Sequence, residues 1–161
     1  CRQGIPAREI LTGGTCRLDA RQIQHEIGHL GRERIDIIFV ENVGNLICPA
    51  THDLGEDFKI ALLSVVEGED TPFKYPAVFS RAGLTVVTKA DLMPYVDFDV
   101  ARVRDKVAKT NPDGGFMVVS ALTGEGLDSW CRWLAERLED KRAGRVGQAG
   151  LEAATRVLPG A

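Results

Sequence analysis

Apolar residues fall into short runs that alternate with stretches of helical spacing. Ile35–Val40, Lys59–Val66, Leu84–Val87 and Phe116–Val119 are such runs, and they predict strands, the first of them buried on both faces. Pro6–Leu11 predicts a further short strand. Leu18-Asp19 opens a helical pattern, with Asp19 as N-cap and Ile23, Ile27 and Leu30 on one face. Asp99–Lys109 predicts a second helix, which Asn111-Pro112 ends because the residue before proline avoids helical dihedrals. Leu127–Leu138 predicts a third, with Leu127, Trp130, Leu134 and Leu138 at helical spacing. Gly13-Gly14-Thr15 marks a turn, and a polar, Gly-rich loop through Asn45 and Gly55 follows Ile35–Val40. Strands that alternate with helices imply crossover connections. The fold class predicted is therefore α/β, three-layer, with a mostly parallel sheet covered on both faces. From Glu139 to Ala161 the chain turns to Gly, Ala and Arg. This predicts a folded body over residues 1–138 and a flexible tail over 139–161, with a frayed helix near Leu151–Val157.

At 161 residues the chain suits one domain, and 44% hydrophobic with 27% charged residues is a globular balance. The net charge is -3. A nucleic-acid partner is not expected, since that needs an excess of Lys and Arg to replace phosphate counterions. The longest apolar run, Ile60–Val66, is far shorter than the roughly 20 residues of a membrane span, so no membrane partner is expected either. Cys1, Cys16, Cys48 and Cys131 are too widely spaced for a disulfide framework. They fit thiols in a reducing, cytoplasmic compartment. The first residue is Cys1 rather than methionine, so a fragment or processed chain is expected.

Candidate chemistry gathers where strands end, because ligands of open parallel sheets bind at the carboxyl ends of the strands. Thr88-Lys89-Ala90-Asp91 directly follows the Leu84–Val87 run. A carboxylate at Asp91 can accept from the N1–H and 2-amino group of guanine, a donor pair that adenine lacks, and the Lys89 stem can lie over a purine face. A solvated strand-to-helix turn is the plainer alternative. Ser120-Ala121-Leu122-Thr123-Gly124-Glu125-Gly126 follows the next strand. A small residue there lets a backbone N–H approach guanine O6, although a Gly-rich connection with a Ser or Thr cap has the same composition. Glu41-Asn42-Val43-Gly44 follows Ile35–Val40. There, Glu41 can orient a Mg²⁺-bound water and Gly44 can admit a γ-phosphate to the backbone. An ordinary strand-end carboxylate and turn glycine would look alike.

Cys16 and Cys48 sit in loops. Thiolates suit Ni²⁺ or Zn²⁺, and a two-fold dimer would supply four; two inert buried thiols are the alternative. His25-Glu26-Ile27-Gly28-His29 matches H-E-x-x-H, which on a helix places two imidazoles on one face beside a general base, as in a zinc hydrolase. The longer form of that motif fails, since Ile35 stands where its third ligand belongs. No G-x-x-x-x-G-K-[ST] phosphate loop occurs.

In order along the chain stand Thr12-Gly13-Gly14-Thr15-Cys16-Arg17-Leu18-Asp19-Ala20, Glu41 to Ala50, Asp53-Leu54-Gly55-Glu56, Ser64 to Asp70, Lys74-Tyr75-Pro76 and the two guanine stretches. With these runs the chain resembles the HypB family of hydrogenase-maturation GTPases from about Ile5 to Leu138. The resemblance implies a P-loop GTPase fold of the dimerising class and GTP hydrolysis coupled to nickel delivery. It implies Cys16 and Cys48 as metal ligands. Thr88, Lys89, Asp91, Ser120, Ala121 and Leu122 would lie around the guanine, with Glu41 and Gly44 at the Mg²⁺ and phosphate side. It also implies a homodimer and, as partners, a hydrogenase large subunit and other maturation factors. Arg17 stands where the family has histidine and cannot replace an imidazole ligand, and Thr88 stands where asparagine is usual. The family's P-loop strand does not appear in this sequence. A parent that hydrolyses GTP is therefore expected, with this chain inactive, weak in GTP binding, and poorly stable or self-associating. A metal-binding dimerisation module without turnover is the alternative function, and a zinc hydrolase on His25, Glu26 and His29 a further one.

Overall fold

The computed structural model describes residues 6–11, 18–30, 35–42 and 54–145. The chain divides into two compact units, residues 1–56 and 57–161. The turn at Gly13-Gly14-Thr15, the loop at Asn45 and the helix near Leu151–Val157 lie outside the described residues.

In the first unit, helix α1 runs Ala20–Gly28. Asp19 caps it as expected, accepting from the Arg21 N–H at 2.7 Å, while the Gln22 side chain accepts from the Asp19 N–H at 3.0 Å. This reciprocal box satisfies two of the donors a helix start leaves unpaired. Ile23 is buried and Ile27 and Leu30 are half-buried, in keeping with the predicted face.

The second unit is a parallel sheet in the order β1 (Ile60–Ser64), β2 (Leu84–Thr88), β3 (Gly115–Val118). Ile60 pairs with Leu84 and Leu84 with Gly115. A 3₁₀ turn (Val65–Glu67) and the short helices α2 (Thr71–Lys74) and α3 (Pro76–Phe79) connect β1 to β2. A 3₁₀ helix (Ala90–Tyr95) and α4 (Val100–Thr110) connect β2 to β3, and α5 (Leu127–Arg142) follows.

Strand alternation divides the core into two faces. Ala61, Leu63 and Val87 meet Phe79 of α3 and Val103 and Val107 of α4. Leu84, Val86 and Met117 meet Trp133 of α5 on the other face. Helices thus cover both faces, and the predicted three-layer α/β class holds. Asp99 caps α4 through the Arg102 N–H at 3.0 Å, and Asn111 ends it. The buried Asn111 amide donates to the Phe79 and Ala82 carbonyls at 3.1 and 2.8 Å, tying the end of α4 to the approach to β2.

The segment after β1 is fastened to α4. Lys106 is 8% exposed, and its ammonium donates to the Glu69 carbonyl and to Asp70 Oδ1, both at 3.1 Å, while lying 4.8 Å from the centre of the Phe73 ring. Arg102 pairs with Glu69 at 2.6 Å. The Lys106 hydrogen bond, and then its charge, hold the Asp70 carboxyl below its ordinary value of 3.8.

Two expectations fail. Neither Pro6–Leu11 nor Ile35–Val40 forms a strand. Leu11 is 81% exposed and Phe39 is 64% exposed, with Ile37, Ile38 and Val40 exposed as well. A strand is held by the ladder it shares with a neighbour, not by its own apolar run, and among the described residues neither segment has such a ladder. The third helix also runs four residues past Leu138, where Arg142–Glu139 and Lys141–Asp57 ion pairs support its last turn. Trp133, outside the predicted stripe, is its buried residue, while Leu127, Trp130 and Leu134 pack around it partly buried.

Candidate functional site

The carboxyl ends of β2 and β3 carry the two stretches singled out from the sequence. Thr88 closes β2 opposite Ser64 of β1. The chain then turns through Lys89, whose φ of 60 is the one positive value of a non-glycine residue among the described residues. That conformation costs an L-residue about 1–2 kcal/mol. It is held from both sides, by the Ala90 N–H on the Val119 carbonyl at 3.1 Å and the Leu92 N–H on the Lys89 carbonyl at 2.9 Å. The result carries Lys89 to the surface and starts the 3₁₀ helix with Asp91 in its first turn.

Asp91 and Ser120 are 29 positions apart in sequence and directly hydrogen-bonded, the Ser120 hydroxyl donating to Asp91 Oδ1. Ser120 is fully buried, and its Oγ also accepts from the Leu122 and Thr123 N–H groups, each at 3.2 Å. Its own N–H donates to the Glu125 carbonyl at 2.9 Å, and the Gly124 N–H returns to the Ser120 carbonyl at 3.0 Å. The Ser120–Glu125 turn is therefore folded around one hydroxyl. With the N–H groups of Leu122 and Thr123 turned inward, the Ala121 N–H has no acceptor among the described residues. Leu122 leaves its side chain 82% exposed. Chemically this is a half-buried carboxylate with a fixed rotamer, an exposed lysine stem and an open amide on two neighbouring strand ends.

Glu41 belongs to the first unit and is exposed. Gly44, Cys16 and Cys48 lie outside the described residues. Among the described residues no group of three or more His, Cys, Asp or Glu side chains is arranged to hold a metal ion. His25 and His29 do stand together at the end of α1, but among the described residues no third ligand of the kind a zinc hydrolase site requires joins them. Cys131 is an exposed free thiol, and no described helix is long and apolar enough to cross a membrane.

Sequence reasoning missed Gly126, the αL residue that starts α5. A Cβ built there would lie 2.1 Å from the Val118 carbonyl oxygen, so only glycine lets the turn close against β3. The two glycines flanking Glu125 were the available signal.

A three-stranded parallel sheet with helices packed on both faces is an α/β domain of the doubly wound kind. Residues 1–118 match the CobW/HypB/UreG nucleotide-binding domain model. The chain belongs to that family, on its HypB branch. It is 47% identical over 131 residues to the hydrogenase maturation factor HypB of Escherichia coli K12, covering 81% of this chain and 45% of that protein. It is 43% identical over 143 residues to HypB of Azotobacter vinelandii, covering 89% and 47%. The crystal structure of HypB from Helicobacter pylori in complex with nickel superposes with a TM-score of 0.83 at 33% identity, over 91% of this chain and 69% of that one. HypB from Archaeoglobus fulgidus gives 0.79 at 37% identity, over 85% and 66%. The chain spans about half the length of the curated relatives it matches.

Proposed function

We propose that the protein carrying this chain is a cytoplasmic GTP-binding and GTP-hydrolysing factor that handles nickel during hydrogenase maturation. The observation that supports it most is Asp91, a carboxylate fixed by the buried Ser120 hydroxyl at the sheet's carboxyl edge, beside the strained Lys89. In this proposal the Asp91 oxygens accept from guanine N1–H and the 2-amino group. The Ser120 hydrogen bond uses one lone pair of Oδ1 and leaves the others for the base. The Lys89 stem covers a purine face and the Ala121 N–H meets O6, which selects guanine over adenine at both positions. Glu41 and Gly44 serve the phosphate side, where Mg²⁺ would supply charge neutralisation when bound.

Nickel, or zinc, is cargo in this proposal, held by the Cys16 and Cys48 thiolates of two copies in a homodimer that passes it to a hydrogenase large subunit. The HypB relative in complex with nickel supports the choice of nickel. Replacing Cys48 with Ala is expected to abolish tight Ni²⁺ binding.

Guanine recognition is tested by Asp91→Asn. Xanthine carries a carbonyl where guanine has its 2-amino group, so an amide in place of the carboxylate inverts the preference. Loss of a charged hydrogen-bond pair costs about 3 kcal/mol, roughly a hundredfold in affinity. Titration of the protein carrying the substitution should show GTP weakened by that factor and xanthosine triphosphate strengthened. Unchanged GTP affinity would remove Asp91 from base recognition.

A further inference from the structure

We infer that His25 and His29 form a solvent-facing binding site for a divalent transition-metal ion such as Ni²⁺, one that does not need Cys16 or Cys48 as ligands. The two imidazoles stand one turn apart at the end of α1, with ring centroids 4.8 Å apart, and both residues are exposed. A metal–nitrogen bond of about 2.1 Å puts a ring centroid roughly 3.2 Å from the ion. Two centroids 4.8 Å apart then subtend about 97° at the metal, between the octahedral and tetrahedral values. The helix therefore already holds the rings at the separation that one ion needs.

Three further features favour a cation there. His25 Nδ1 lies 3.3 Å from Glu26 Oε1, and in the tautomer that donates to this carboxylate Nε2 is the nitrogen left to bind a metal. A carboxylate behind a ligating imidazole fixes the tautomer and raises ligand basicity. Glu26 in turn reaches Arg8 through its other oxygen at 3.9 Å, so it orients the imidazole rather than serving as a free general base. His29 is the C-cap of α1, at the negative end of the helix dipole, where positive charge is stabilised. On the His25 side lies a groove lined by Glu9, Arg21, Gln22 and Glu26, with room for water ligands and with two carboxylates against the one guanidinium.

The test is calorimetric titration of the 161-residue chain with Ni²⁺ alone, in a Cys16→Ser/Cys48→Ser background. One Ni²⁺ per chain is expected to bind, with the helix content by circular dichroism unchanged in every variant. His29→Ala should weaken binding at least tenfold, and His25→Ala/His29→Ala should abolish it. Glu26→Gln should weaken it by roughly tenfold, the usual effect of losing an outer-shell carboxylate. Loading with Cu²⁺ should give an electron paramagnetic resonance spectrum split by two imidazole nitrogens. No Ni²⁺ binding in the cysteine-free background, or binding that the double histidine substitution leaves unchanged, would overturn the inference. The cysteine site is judged separately, by comparing the unsubstituted chain with the cysteine-free one.

Discussion

Gly126→Ala isolates the contact on which the Ser120–Gly126 turn closes. Gly126 has φ +73, and the added Cβ would meet the Val118 carbonyl oxygen at 2.1 Å and Val119 Cγ1 at 3.1 Å. Backbone oxygen is not a flexible neighbour, so the turn or β3 must move. The left-handed conformation alone costs about 1–2 kcal/mol and the overlap about 1–3 kcal/mol more. The sum, about 2–5 kcal/mol, is a large share of the stability of an ordinary domain. With a urea slope near ~2 kcal/mol/M, the unfolding midpoint should fall by about 1–2.5 M. Gly124→Ala provides the control, since its φ is +86 but nothing lies within 4 Å of the added atom. That variant carries the conformational cost without the overlap and should lose about half as much or less. Urea unfolding followed by tryptophan fluorescence reads both, because Trp130 and Trp133 lie on α5 just beyond the turn. Equal midpoints for the two variants would show that the Val118 contact does not constrain the turn.

Asn111→Ala strips two buried carbonyls, those of Phe79 and Ala82, of their donor. At about 1–3 kcal/mol for each unsatisfied group, partly relieved by water, a loss of about 2–4 kcal/mol is expected in thermal or urea unfolding. Asn111→Asp, which keeps the size but removes the donors, should be no better; wild-type stability in either would contradict the assignment. Asp70 makes an acid-side prediction. Its folded-state carboxyl lies below 3.8 because of Lys106, so its stabilising contribution is complete above that pH and is lost as pH falls through the lowered value. Asp70→Asn should flatten the fall in urea midpoint below pH 3.8. An unaltered slope there would mean that the Lys106 hydrogen bond does not persist in solution.

Short-range patterns determined much of this protein before any folding was considered. Asp19 and Asp99 cap helices because the groups they satisfy lie two or three residues away, and Asn111-Pro112 ends a helix for an equally local reason. The runs at Ile60, Leu84 and Phe116 form strands because each pairs with a neighbour and buries apolar side chains under a helix, although Leu62 of β1 stays 60% exposed. The family likewise follows from ordered motifs. Tertiary structure alone decided the rest. Ile35–Val40 has the same apolar character as β1 yet forms no strand, since a ladder is a property of two segments and not of one. Burial of Trp133 and of the Lys106 stem depends on which helix lies over which face. The hydrogen bond from Ser120 to Asp91 joins residues 29 apart, and the strained turn at Lys89 is held in part by the distant Val119 carbonyl, just past β3. Periodicity and capping are written in residues within a turn of each other, whereas pairing, packing and the rotamer of a site carboxylate exist only once distant segments meet.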